Sequence, residues 1–503
     1  MTFLDNLKEE ATVGRTFNGA TTYTTSLNAN VDFFALGGSM RYQNIGDKIS
    51  LFEKAYNEDR AVALRNLVYM RDIRNGGLGE RDMFYAGIWF LAKKKDEKAL
   101  HVIMDNVADF SRWDDLFFIM KQDEKLFDYG LIIIKTQLLK DMDNMRKGKE
   151  ISLLGKWLPN INAKNEERRA FGLRVANALG YTKPSDYKVY RKMLVSLREK
   201  LDLVEVKLAA KDYDSIDFSK LPSRAGFKYR SAFWRHISDR YSEFLEAVNN
   251  GEATMNGSLV MPDEIIAAYG YRGYFSYGYF SYEEKPELEA AWKSLKDTVK
   301  GSDENVIVVA DTSASMWGKP WEVAEGLAIY TAERLEGPFK NNFITFSRRP
   351  QLVTLPSNCS LRDKMNEYSR HSIIENTDIE AVFNLILDTA IKNNTPKEEV
   401  PSKIIIVSDM EFDLQRGNDV THFKLAKSRF ENAGYEMPDV VFWNVNARLG
   451  NLPVRYNEQG AALVSGFSTN ILTSILNGKL ETPEAMMLET LSNPAFDFID
   501  EAI

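Results

Sequence analysis

A single cysteine, Cys359, stands among 503 residues. That excludes an internal disulfide and fits a reducing, cytoplasmic setting. Long apolar runs are missing as well. The longest, such as "VIVVA" at 306–310 and "LIII" at 131–134, fall far short of the roughly 20 residues that cross a bilayer, so no membrane span is expected. The opening "MTFLDNLKEEATVGRTFNG" lacks a basic, apolar leader, which again points to the cytoplasm. An excess of positive charge is absent too: the formal net charge is -8. Taken alone, that argues against a nucleic-acid partner.

The chain does have ample apolar content, 44%, enough for large cores and for two or more domains. Its charge is also unevenly placed. Residues 301–503 carry 18 Lys and Arg against 29 Asp and Glu, whereas residues 1–300 carry 46 against 43. A mildly basic front half joined to an acidic back half permits local polyanion binding.

The hydrophobic pattern changes at the same place. Segments such as "DKISLFEKAYNEDRAVALRNLVYMRDIR" and "RDMFYAGIWFLAKKKDEKALHVIMDNV" repeat apolar residues at three- and four-residue spacing. They predict an all-α helical-repeat (HEAT-like) body over 46–268, preceded by an N-terminal extension over 1–45. The loop "NGGLGE" follows a helical pattern, not a strand, so it reads as a turn between helices and not as a nucleotide-binding loop. Residues 269–303 form an aromatic-rich linker and a helix. Within it "YGYRGYFSYGYFSY" has eight aromatics in fourteen positions and is expected to pack between domains. From 304 to 503, β-branched runs alternate with amphipathic helices: "NVIVVAD", "NFITFS", "KIIIVSD" and "DVVFWNVN" against "WEVAEGLAIYTAERL" and "DIEAVFNLILDTAIKNN". That alternation predicts an α/β, doubly wound parallel sheet covered on both faces.

Ligand sites in such sheets gather at the carboxyl ends of the strands. "VIVVADTSASMWG" places Asp311, Ser313 and Ser315 there, with a spacing of two that turns three oxygens to one side. Asp409 ends "KIIIVSD", and Thr377 and Asp378 stand at a helix start in "ENTDIEAVF". Two carboxylates with neutral hydroxyls, and no His or Cys nearby, suit a hard cation, Mg²⁺ or Mn²⁺. A plainer reading makes "DTSAS" a helix N-cap. The five positions resemble the metal-ion-dependent adhesion site (MIDAS) of von Willebrand factor A domains: Asp-x-Ser-x-Ser, a Thr in a later loop, and an Asp after the fourth strand. The resemblance implies a Rossmann-like fold with magnesium held by Asp311, Ser313, Ser315, Thr377 and Asp409, and one position open to the carboxylate of an acidic partner. Haloacid dehalogenase phosphatases need a second acid where Ser313 stands. No nucleophile and base accompany the site, so a metal-dependent hydrolase is a weak alternative and no enzyme is expected.

Upstream, "YMRDIRNGGLGERDMFYAGIWFL", "VADFSRWDDLFF" and "KLPSRAGFKYRSAFWRHISDRY" resemble the Ro (TROVE) ribonucleoprotein group, and more closely a related family of unknown function with the same layout. The resemblance implies a helical body that binds structured or single-stranded RNA. The residues add their own support: Arg224, Lys228, Arg230, Arg235 and Arg240 interleave with Phe227, Tyr229, Phe233, Trp234 and Tyr241, offering cations to phosphates and ring faces to bases. Arg71, Arg74 and Arg81 extend the candidate RNA-binding set. Aromatics at helical spacing are more often core, and cations beside them a solvated face. The expectation is therefore a Ro-like RNA-binding protein, with a metal-dependent protein-interaction scaffold as the alternative.

Overall fold

The computed structural model describes residues 3, 7, 10–270, 282–300, 304–346, 349–372, 377–414, 420–476 and 479–503. The core of the aromatic repeat, residues 271–281, lies outside them.

The front half is helical, and several of its helices start where a side chain takes up free amide groups. Asp59 accepts from the Ala61 and Val62 N–H groups to open helix Arg60–Arg71, and Asp96 accepts from Ala99 to open Glu97–Phe110. Helix Ile45–Glu58 packs on Arg60–Arg71 and on Arg81–Lys94, and the following helices continue this neighbour-on-neighbour stacking through Glu124–Arg146. The "NGGLGE" turn joins two of them. Its shape is set by Asp72, whose carboxylate accepts the N–H groups of Arg74, Asn75 and Gly77. A Cβ at Gly77 would lie 2.4 Å from Tyr69 O, so only glycine fits that approach.

The back half carries a six-stranded sheet of β3 (Val306–Asp311), β4 (Asn342–Phe346), β5 (Gln351–Thr354), β6 (Lys403–Ser408), β7 (Asp439–Asn444) and β8 (Ala461–Ser465), ordered β5-β4-β3-β6-β7-β8. All pairs are parallel except β4 with the edge strand β5. Every residue of β3, β6 and β7 is buried, which explains their unbroken apolar runs. β3 pairs with β4 on one side and β6 on the other, with Val308 opposite both Phe343 and Ile405. The chain therefore leaves β3 in one direction and returns on its other side, and a crevice opens at the carboxyl ends of β3 and β6.

The two halves share one core. Helix Ala29–Gly37 is buried in eight of its nine residues, between the front helices and β8. A short hairpin of β1 (Val13–Arg15) and β2 (Thr21–Tyr23) precedes it and bridges to the sheet side through Gly19 with Asp413 and Tyr23 with Leu452. From the other end, the 3-10 helix Pro494–Ala502 crosses back onto the front helices, where Phe498 stacks on Phe110 and Arg65 pairs with Asp497 and Asp500. A second, smaller core gathers Phe218, Phe233, Tyr241 and Leu245.

Helix Lys319–Arg334 lies between the sheet and helix Pro262–Tyr269. It buries Glu325 completely, and burial pushes that carboxyl from 4.5 up to about 8, only partly opposed by Trp321. The folded state therefore holds a proton that the unfolded state releases, and stability should fall as pH rises from about 4.5 to about 8. Glu325→Gln is expected to stabilise the fold at pH 8 by on the order of 2–4 kcal/mol, read as a raised thermal midpoint, and to change little near pH 4.5. Thermal denaturation of both proteins at the two pH values measures this.

Candidate cation site and basic cleft

Asp311 is the last residue of β3, and Asp409 follows β6 directly. Both are buried, so two acids stand at the switch point shielded from bulk solvent. Asp311 is held from two sides: the Ser408 hydroxyl donates to Oδ2 at 2.6 Å and the Ser313 N–H donates to Oδ1 at 2.8 Å. Asp409 Oδ1 accepts the Glu411 N–H at 3.2 Å. Its Oδ2 accepts no hydrogen bond among the described residues, although the nearby Ser315 hydroxyl partly offsets its burial. Burial pushes the Asp311 carboxyl up to about 7, and the neighbouring Asp409 adds to the shift. Burial raises Asp409 too. Paired acids with an unmatched buried oxygen are costly unless a cation joins them.

The hydroxyls point to the same use. Ser313 and Ser315 Oγ lie 3.0 Å apart, and Thr377 Oγ1 is buried beside the loop after β6, donating to Glu411 O at 3.2 Å. The helix-cap alternative does not describe this loop. The 3-10 turn Ala314–Met316 and helix Lys319–Arg334 both start without a side-chain cap. Among the described residues no three His, Cys, Asp or Glu side chains come together, so a cation here would need hydroxyl oxygens. The donor set, two acids and three hydroxyls, fits a hard divalent ion.

A second feature lies where the helical body meets the sheet. A cleft of about 380 Å³ is lined by seven Arg and Lys side chains against four carboxylates, with the Trp157 and Phe467 rings among them. Each acid is already engaged. Glu80 pairs with Arg41, Asp263 with Lys319 and Glu264 with Arg224, and Asp72 caps its own loop. Arg112 lies over the Trp157 ring and Arg41 over Phe467, at 5.3 and 4.4 Å. A larger groove of about 760 Å³ shares Lys156 and Trp157 with the cleft and runs on past Lys228 and Tyr229.

A family described as "Domain of unknown function (DUF2828)" matches residues 16–108 and 132–304, more than half of the chain. The chain belongs to that family. A second description, "Domain of unknown function (DUF7788)", matches residues 305–494. "Uncharacterized protein L728" of Acanthamoeba polyphaga mimivirus is 29% identical over 526 residues, covering 97% of this chain and 89% of that protein. Among solved structures, the Ro (RSR) protein of Deinococcus radiodurans is similar with a TM-score of 0.44 and 12% identity, covering 95% of this chain and all of that one.

The candidate RNA residues of this DUF2828 chain separate. Arg71, Arg74 and Arg224 line the cleft. Arg71 must be corrected as a phosphate contact: it is 1% exposed, and its guanidinium pairs with Asp115 at 2.8 Å. Arg81 pairs with Asp114 at 2.9 Å, so both arginines hold the "RWDD" turn in place. Arg74 is exposed and donates to Ser111 O. On helix Ser223–His236, Arg224, Lys228 and Arg235 are exposed and fall within about 40° of one another at about 100° per residue. Arg230 lies about a third of a turn away, folded over Phe227 and donating to its carbonyl. Arg240 donates to Tyr213 O and Ile216 O. The cleft adds Arg41, Arg112, Lys156 and Lys319, which sequence reasoning missed. Only Arg112, inside the quoted "FSRWDD", carried any signal.

Removing one member of the buried pair leaves the other charge unmatched. Arg71→Ala is therefore expected to destabilise the protein by about 3–5 kcal/mol, read as a lowered thermal midpoint in the absence of any ligand.

Proposed function

We propose that this protein binds RNA in the seam cleft and its continuing groove, while the sheet domain, an A-type domain, holds Mg²⁺ or Mn²⁺ through Asp311, Ser313, Ser315, Thr377 and Asp409. The carrying observation is the cleft itself. An acidic chain gathers an excess of Arg and Lys with two aromatic rings into one concave surface large enough for a nucleotide. Guanidinium and ammonium groups suit phosphates, and ring faces suit unpaired bases. The strand order around the crevice and the Asp-x-Ser-x-Ser loop support the A-type reading. When bound, the metal would neutralise the acid pair and offer a position to an anionic group. The chain's own residues hold it: Ser408 orients Asp311, and the Glu411 N–H orients Asp409. The role is binding, not catalysis.

A second reading, a protein-interaction scaffold, draws on Phe17, Leu414 and Leu449, which are exposed around the loop after β6. Filter binding with a structured RNA carrying a single-stranded tail distinguishes the two. Affinity should fall with salt by about 0.7 in log-log slope per phosphate contact, and a combined Arg74→Ala, Lys156→Ala and Arg224→Ala variant should bind at least about tenfold more weakly at low salt. No binding by the intact protein at low salt would transfer the assignment to the scaffold.

The metal is tested separately. Calorimetry on Asp311→Ala should show Mn²⁺ binding abolished with the far-UV spectrum of the intact fold. Retained affinity would remove these residues as the cation site.

A further inference from the structure

Between β1 and β2 the chain turns over the segment that follows β6. Thr16 Oγ1 donates to Phe412 O and the Phe17 N–H donates to the Glu411 carboxylate, each at 2.6 Å, and the Leu414 N–H donates to Asn18 O at 3.2 Å. Asn18 reaches further in. Its Nδ2 lies 2.7 Å from Glu411 O and 3.1 Å from Thr377 Oγ1. A carbonyl oxygen only accepts, so the amide nitrogen and not its oxygen must face Glu411 O. The same nitrogen then donates to the Thr377 hydroxyl.

That donation fixes what Thr377 can still do. A hydroxyl has one proton and two acceptor lone pairs. Thr377 Oγ1 gives its proton to Glu411 O at 3.2 Å and uses one lone pair on Asn18. One lone pair is left, on an oxygen that is buried and can no longer rotate freely.

Resting on the cation reading above, we propose that Asn18 is a positioning residue of the cation site. It sets the Thr377 oxygen, 359 positions away in sequence, so that its remaining lone pair serves the divalent ion, and the hairpin turn is a working part of the site. Being neutral, Asn18 orients the donor without adding to the charge of the acid pair. Loss of an outer partner of this kind costs about 10–100-fold in metal affinity.

The test uses the full chain and Mn²⁺ alone, with binding followed by calorimetry and by the electron paramagnetic resonance signal of the free ion. Asn18→Ala should bind at least about tenfold more weakly while its far-UV spectrum matches the parent. Asn18→Leu keeps the size and the neutrality but loses the donor, and should weaken binding likewise if the alanine variant fails to fold. Lowered thermal stability with unchanged Mn²⁺ affinity would make Asn18 merely structural and overturn the proposal. An intact protein that takes up no Mn²⁺ would bring down the cation reading and this one together, whereas tight parental binding kept by both variants brings down this one alone.

Discussion

Helix Ala29–Gly37 has no face left for water, and that constraint joins the two halves of the molecule. Its flank meets the front helices, with Phe33 edge-on to Phe52 and Phe34 stacked with Tyr69. Its far end meets the sheet, where the Gly38 N–H donates to Ser465 Oγ at 3.0 Å and a Cβ on Gly38 would come within 2.8 Å of the Ser465 backbone. Side chains this buried are felt when changed by even a methylene. The chain leaving the helix supplies Arg41, and the chain leaving β8 supplies Phe467, which the Arg41 guanidinium covers. One wall of the cleft is thus a direct consequence of how the helix seats on the sheet.

The sheet imposes a second consequence at its switch point. Acids at the ends of β3 and β6 are forced together by strand pairing, whatever their charge, and the surroundings are arranged around that repulsion. Ser408, the Ser313 amide and the Glu411 amide each donate to a carboxylate oxygen, and the Arg448 charge opposes the burial shifts of Asp409 and Glu411. These dipoles lower the cost without removing it, since both aspartates remain shifted upward. The remaining oxygen of Asp409 marks where positive charge is lacking.

How much of this was legible follows from the range of each signal. Strand identity is local: the β-branched runs of β3, β6 and β7 are apolar because both faces are covered, and Asp311 and Asp409 mark the ends of the first two. The helical body is equally local, read from three- and four-residue spacing. Ion pairing is not. Arg71 reads as a surface cation until Asp115, 44 positions on, is found beside it. Nor is the bond from Asn18 to Thr377, which no periodicity announces. Within the segment 1–45, set apart as an extension by its lack of helical pattern, residues 13–37 include a hairpin and a helix buried in eight of its nine residues, packed on the front helices and β8.

The densest mixture of cations and aromatics in the sequence divides for a physical reason. In the stretch from Arg224 to Tyr241, Phe233 and Tyr241 build the smaller core with Phe218, so their rings are closed to a ligand. Arg230 and Arg240 lie over Phe227 and Phe218, covering apolar surface with their stems while donating to backbone carbonyls. A concave basic surface arises differently. Separate segments contribute one or two cations where they meet: Arg41 after a buried helix, Arg74 and Arg112 from turns, Lys156 from a single helical turn, Lys319 from a helix start. Convergence of that kind depends on the tertiary seam, which composition cannot reveal, and it lines the cavity with those cations even where, as for Arg41 and Lys319, an acid already pairs with them.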